Sequence, residues 1–146
     1  MLLSDLYINS WKIENKFNIA LKDNTLAHLI EPHGGTLCDL LVHGEKRKKL
    51  QKESLNLPSF TLNDRHLCDI EMLLNGSFSP LRGFLGQADY DSVLADNRLS
   101  DGTVWPIPIN LDVSEEFSKG LNTGEKIVLR DPEGVALGIL TISDKW

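Results

Sequence analysis

The sequence predicts an α+β domain, short helices packed on a small sheet, and three stretches carry the prediction. Leu67, Ile70, Leu73 and Leu74 fall within about a third of a helical circumference, the signature of an amphipathic helix. Trp105, Ile107, Ile109, Leu111 and Val113 alternate without interruption, as along a half-buried strand. Two further β-rich runs, Glu125–Arg130 and Val135–Ile142, are joined by Asp131-Pro132-Glu133-Gly134, with Asp, Pro and Gly where a type I turn favours them. The chain is therefore expected to end on a β-hairpin.

The remaining elements follow in order. From Trp11 to Leu21 alternation dominates, favouring a strand or hairpin over a disordered tail; the Trp and Phe there argue against disorder. Glu31-Pro32-His33-Gly34-Gly35 marks a turn, since glycine permits the positive φ that a sharp reversal needs. A helical turn capped by Thr36 is expected over 36–41, an exposed charged helix over 45–52 and a short strand over 59–62. Asn63 or Thr61 can cap the amphipathic helix, and Asn75-Gly76 can end it.

Ser77 to Phe84 reads as a loop, because Pro80 bars helix before it, with Phe78, Leu81 and Phe84 as anchors. A short helix carrying Tyr90, Val93 and Leu94 on one face comes next. Pro106 and Pro108 both lack an N–H and would face one edge, so the alternating strand is expected at a sheet margin or bulge. Ser114 can cap a helical turn reaching Lys119. No internal repeat interrupts this order.

A chain of 146 residues is one domain's worth, and 41% hydrophobic with 25% charged residues is ordinary for a globular fold. The net charge of −6 opposes a phosphate backbone, so nucleic acid is not the expected partner. Cys38 and Cys68 are too few for a disulfide framework and too far apart for zinc, so both are expected to be reduced structural thiols. Neither a signal-peptide core nor an apolar run of membrane-spanning length occurs, which places the chain in the cytoplasm as an expectation.

Candidates for chemistry are few. Among His28, His33, His43 and His66 no two stand three or four apart, so a helical metal pair is absent. His66 falls near the apolar face of its helix and reads as a packed or interface side chain. His33 precedes two glycines and reads as holding the turn rather than as catalytic. Gly34-Gly35 lacks the Lys-Ser/Thr that a phosphate loop requires. Lys46-Arg47-Lys48-Lys49 reads as a solvated helix face, with an anion or RNA contact as the alternative. Trp105, Tyr90 and Phe84 read as core, with a ligand-stacking platform as the alternative.

The segments LNGSFSPLRGFL (74–85) and DGTVWPIPINLDV (101–113) resemble the amino-terminal domain of ATP sulfurylase, or sulfate adenylyltransferase, in its fungal type. Pro32-His33-Gly34-Gly35 and Ala136-Leu137-Gly138-Ile139-Leu140-Thr141 extend the likeness, which covers about residues 27–146. Residues 1–26 are left as an amino-terminal extension of undetermined structure. Arg82 departs from the small polar residue expected in the Ser-Pro loop. The resemblance implies a PUA-like pseudo-barrel, a strongly bent mixed sheet with short packed helices.

It also implies a parent reaction in which sulfate attacks the α-phosphorus of Mg-ATP, giving adenosine 5'-phosphosulfate and pyrophosphate. That chemistry needs cations around a crowded phosphate. The family supplies them from Gln-x-Arg-Asn, His-x-x-His and Gly-Arg-Asp segments. Gln51 and Gln87 lack the following Arg-Asn, and Arg130-Asp131 follows Leu129, so none of the three is present. No catalytic, cofactor-binding or metal-binding residue is therefore assigned, and no cofactor is expected in this chain. The expected role is a non-catalytic domain supporting a catalytic domain in cis or in trans, with homo-oligomers within scope. An apolar or Arg-rich docking patch is expected near the carboxyl end. The alternative is a free-standing PUA-like RNA-binding or interaction module.

Overall fold

The computed structural model describes residues 6–9 and 30–146. Its elements run β1 (Leu6–Asn9), β2 (Leu41–Val42), α1 (Gly44–Glu53), β3 (Ser59–Thr61), α2 (Asp64–Leu74), α3 (Gln87–Asp96), α4 (Glu115–Lys119), β4 (Lys126–Arg130) and β5 (Ala136–Thr141). The α+β class is as expected. The strands form one mixed sheet in the order β2-β1-β5-β4-β3. β4 and β5 are antiparallel, β3 runs parallel to β4, and β1 lies antiparallel to β5 and parallel to β2.

The hairpin β4–β5 is the spine of the fold. Gly134 N–H donates to Asp131 O across 3.0 Å, closing the expected turn, and Val135 N–H reaches the Asp131 carboxylate at 2.7 Å. Ile127, Val128 and Leu129 are all buried, so β4 is covered on both faces. Ile127, Leu129, Leu140 and Ile142 join Ile70 and Leu73 from α2 and Leu111 in one hydrophobic cluster.

α2 matches its prediction closely. Asn63 accepts the His66 N–H as N-cap, and Ile70 and Leu73 are buried while Leu67 and Leu74 are packed at the margin. Gly76, at φ 80°, carries the chain out of the helix end. The Ser-Pro loop is anchored by Leu81 and Phe84, which are buried, and by Phe78 at the edge of the core. Ser114 accepts the Phe117 N–H at 3.2 Å and caps α4.

Four expectations need correction. Residues 105–113 form no strand: two prolines remove the N–H groups that a neighbour would bind, and isolated bridges at Val104, to Arg98, and at Asp112 take the place of a ladder. The segment nevertheless packs, burying Trp105, Ile109, Leu111 and Val113, but Ile107 between the prolines is 53% exposed. Thr36 caps no helix; a 3-10 turn spans His33–Gly35 and Thr36 is extended. Leu94 is 60% exposed, so α3 buries Val93 and not a three-residue face. Cys38 is buried but Cys68 is exposed, because it sits about 200° around α2 from Ile70.

The strand or hairpin expected over Trp11–Leu21 lies outside the described residues. Leu6–Asn9, within the expected amino-terminal extension, is an inner strand of the sheet.

Candidate functional site

His33, expected to hydrogen-bond its own turn, instead ties that turn to a distant segment. Its Nε2 lies 2.7 Å from Val104 O and acts as the donor, and its ring tilts against Trp105 at 6.1 Å between centroids. Trp105 is in turn edge-on to Phe78 at 5.8 Å. Gly34, at φ 71°, lies so close to Pro80 that a Cβ would come within 2.7 Å of the ring. Beneath this contact Cys38 N–H donates to Ser79 Oγ at 2.9 Å, and the Cys38 thiol approaches Pro80 O at 3.2 Å. The Pro-His-Gly-Gly turn, the Ser-Pro loop and the start of the proline segment are thus one assembly.

His66 is the second assembly, and its packed role is observed. The residue is 1% exposed, and its Nε2 lies 3.0 Å from Asp112 Oδ1. Arg65 converges on the same carboxylate and also reaches Asp69 Oδ2 and Asn110 O, each at 3.2 Å. Nε2 also lies 2.8 Å from Arg65 Nη2, so this ring nitrogen sits between the guanidinium and the carboxylate, while Nδ1 is buried without a partner. The hydrogen bond from His66, aided by the positive Arg65, holds the Asp112 carboxyl below the usual carboxylate range. Burial pushes Asp69 the other way despite Arg65.

Arg82, exposed, lies in an open cleft lined also by Asp89, Asp101, Ser143 and Asp144. Its carboxylates serve the backbone: Asp89 accepts Ser100 N–H, Asp101 accepts Thr103 N–H and Asp144 accepts Gln87 N–H, each at 2.8 Å. The bond from Thr103 holds the Asp101 carboxyl below the usual carboxylate range.

The aromatic alternative is not assembled as one platform. Trp105 and Phe84 are buried, whereas Tyr90 packs on Trp146 at 5.8 Å. The basic cluster lies on α1, where Lys48 pairs with Glu45 at 2.7 Å and Lys46 and Arg47 are also engaged. No aromatic side chain lies on that helix for a base to stack on. Among the described residues no helix is long and apolar enough to cross a membrane, and no three His, Cys, Asp or Glu gather as metal ligands.

Large apolar side chains are exposed at eight of the described positions, Ile30, Leu37, Leu55, Met72, Leu94, Val104, Ile107 and Val135. Val104 and Ile107 lie on either side of Trp105 in the chain, beside the His33 turn. Leu94 is exposed one turn beyond Tyr90, the residue that packs on Trp146. Sequence reading missed the Arg65–His66–Asp112 convergence, since its members are 46 residues apart and only the fold joins them.

The family model described as PUA-like domain matches residues 30–146. Sulfate adenylyltransferase of Eremothecium gossypii is 50% identical over 117 residues, 80% of this chain and 23% of that protein. The Saccharomyces cerevisiae sulfate adenylyltransferase is 44% identical over 118 residues, covering 79% and 23% respectively. A solved chain described as a hexameric APS kinase from Thiobacillus denitrificans superposes with a TM-score of 0.73 at 45% identity, over 81% of this chain and 24% of that one. The chain thus spans about a quarter of the length of these relatives.

Proposed function

This chain belongs to the PUA-like domain family, and from that premise we propose that it is the non-catalytic amino-terminal domain of a sulfate adenylyltransferase. Its task is to pack against and support a catalytic domain, in cis or in trans. The observation that carries the reading is a 50% identity confined to 23% of the relative's length. A domain whose described residues pack into one hydrophobic cluster suits a scaffold.

Mg-ATP does not fit the Arg82 cleft of the described residues. The cleft holds one cation, Arg82, among carboxylates already committed to backbone N–H groups, and a triphosphate would be repelled. Nucleotide and metal are accordingly assigned to the partner domain. Leu94, Tyr90 and Trp146 are proposed as part of the docking surface, since an exposed leucine beside paired aromatics gains most from being covered.

The test is a chimera. Residues 30–146 replace the matched 117 residues of the Eremothecium gossypii enzyme, and adenosine 5'-phosphosulfate formation is measured. The chimera is expected to turn over while the isolated chain gives no product above background. A folded but inactive chimera, or turnover by the isolated chain, would refute the reading.

A further inference from the structure

We propose that the outer edge of β5 is a strand-acceptor site and that residues Leu6–Asn9 fill it in cis, as a tethered strand that keeps other chains off that edge. The backbone register places Leu6 opposite Leu140, Tyr7 opposite Ile139 and Ile8 opposite Gly138. On its other side the same strand carries β2, with Ile8 opposite Leu41 and Asn9 opposite Val42. The family match begins only at residue 30, so this inner strand comes from outside the matched domain.

The consequence of removing it follows from the strand order. β5 would keep β4 on one side and present a bare row of N–H and C=O groups on the other, while β2 would lose its neighbour in the sheet. An open edge over Gly138, Ile139 and Leu140, all buried in the present fold, is a template for pairing with any extended chain. The occupant suits such an edge: Leu-Tyr-Ile-Asn is uncharged, free of proline and rich in strand formers. Recognition by main-chain bonding also explains why the extension needs no resemblance to the family.

Two cysteine pairs in the full chain test this, in a Cys68→Ser background. Neighbouring antiparallel pairs alternate between hydrogen-bonded and non-hydrogen-bonded sites, so Tyr7→Cys with Ile139→Cys and Leu6→Cys with Leu140→Cys sample both geometries. At least one pair is expected to close within a single chain at micromolar concentration. Failure of both, or closure only between two chains, overturns the proposal. A Tyr7→Pro, Ile8→Pro chain gives a second readout that does not depend on sulfur chemistry. Its amide exchange at Ile139, whose N–H faces β1 because its β4 partner Val128 turns its own N–H to Pro58 O, should rise at least tenfold while the melt stays cooperative, and a synthetic peptide of residues 4–12 should restore protection. Unchanged exchange, or a bared amide that the peptide leaves unprotected, likewise sinks it.

Discussion

His66 Nε2 and Asp112 Oδ1, 3.0 Å apart, join the first turn of α2 to the segment that two prolines keep out of the sheet. With no ladder to hold that segment, side-chain and isolated main-chain contacts must fix it. Leu85 N–H donates to Ile109 O and Trp105 N–H to Asn97 O, each at 2.8 Å. Arg65 adds its bonds to Asn110 O and Asp112. The apolar side chains of the segment then seal the core from above, which gives these polar ties their stabilising effect.

Replacing Asp112 by Asn should expose the tie as a pH-dependent term. The native Asp112 pKa is lowered from its ordinary 3.8, so its contribution is present in full above about pH 4–5. It disappears as pH falls through the lowered native value. The variant should therefore melt below the parent at pH 7, and the difference should shrink toward zero in strong acid. Because the side chain is 59% exposed, solvent screening limits the effect to about 1 kcal/mol or less. Calorimetric melts of both proteins from pH 7 down to about pH 2.5 decide it; a gap that stays constant would show that Asp112 acts through shape alone.

Gly34 and Gly35 form a matched pair for testing the Ser-Pro contact. Both hold positive φ, 71° and 79°, so alanine at either should cost about 1 kcal/mol of backbone strain. At Gly34 the added Cβ also meets the Pro80 ring at 2.7 Å, whereas at Gly35 nothing lies within 4 Å. Gly34→Ala should then be the worse by roughly 1–3 kcal/mol, the usual cost of overpacking. Denaturant melts yielding equal midpoints would mean that the turn moves off Pro80 without penalty.

Lys145 offers a similar test at the other end of the fold. Its ammonium donates to Ser118 O and Leu121 O, each at 2.8 Å, at the end of α4, where Ser118 O also accepts Leu121 N–H at 3.1 Å. Lys145→Met keeps most of the stem and removes both bonds. A loss of about 1–2 kcal/mol is expected, with faster amide exchange confined to residues 115–121. No change in either would assign the lysine to the surface.

Legibility in the sequence followed how locally each element is determined. The β4–β5 hairpin and α2 were readable because one turn and one cap, each within a few residues, carry the signal: Asp131 with Gly134, and Asn63 with His66. The segment 105–113 misled because its alternation is real while its prolines deny it a partner. Burial thus follows the strand pattern at Trp105, Ile109, Leu111 and Val113, and fails at Ile107. Thr36 misled because the preceding glycines turn left-handed and consume the turn before the threonine. Leu6–Asn9 and the Arg65–His66–Asp112 convergence are products of tertiary pairing, and no local pattern announces either.

Ile70 and Asn63 separate what packing and capping contribute to α2. Ile70 is 2% exposed at the centre of the helix face that meets Leu111, Ile127 and Leu129 in the shared core. Ile70→Asp strands a carboxylate there without a partner and removes the apolar contacts. The combined cost, about 4 kcal/mol or more, is a large share of a domain's total stability, and the variant should lose its cooperative melt. Asn63→Ala deletes only the bond from His66 N–H, at 2.9 Å, and should cost about 1 kcal/mol while melting as one unit. His66 sits on that same first turn, so fraying there should also loosen its hold on Asp112 and raise exchange near residue 112. A cooperative melt retained by Ile70→Asp would place the buried face of α2 elsewhere on the helix.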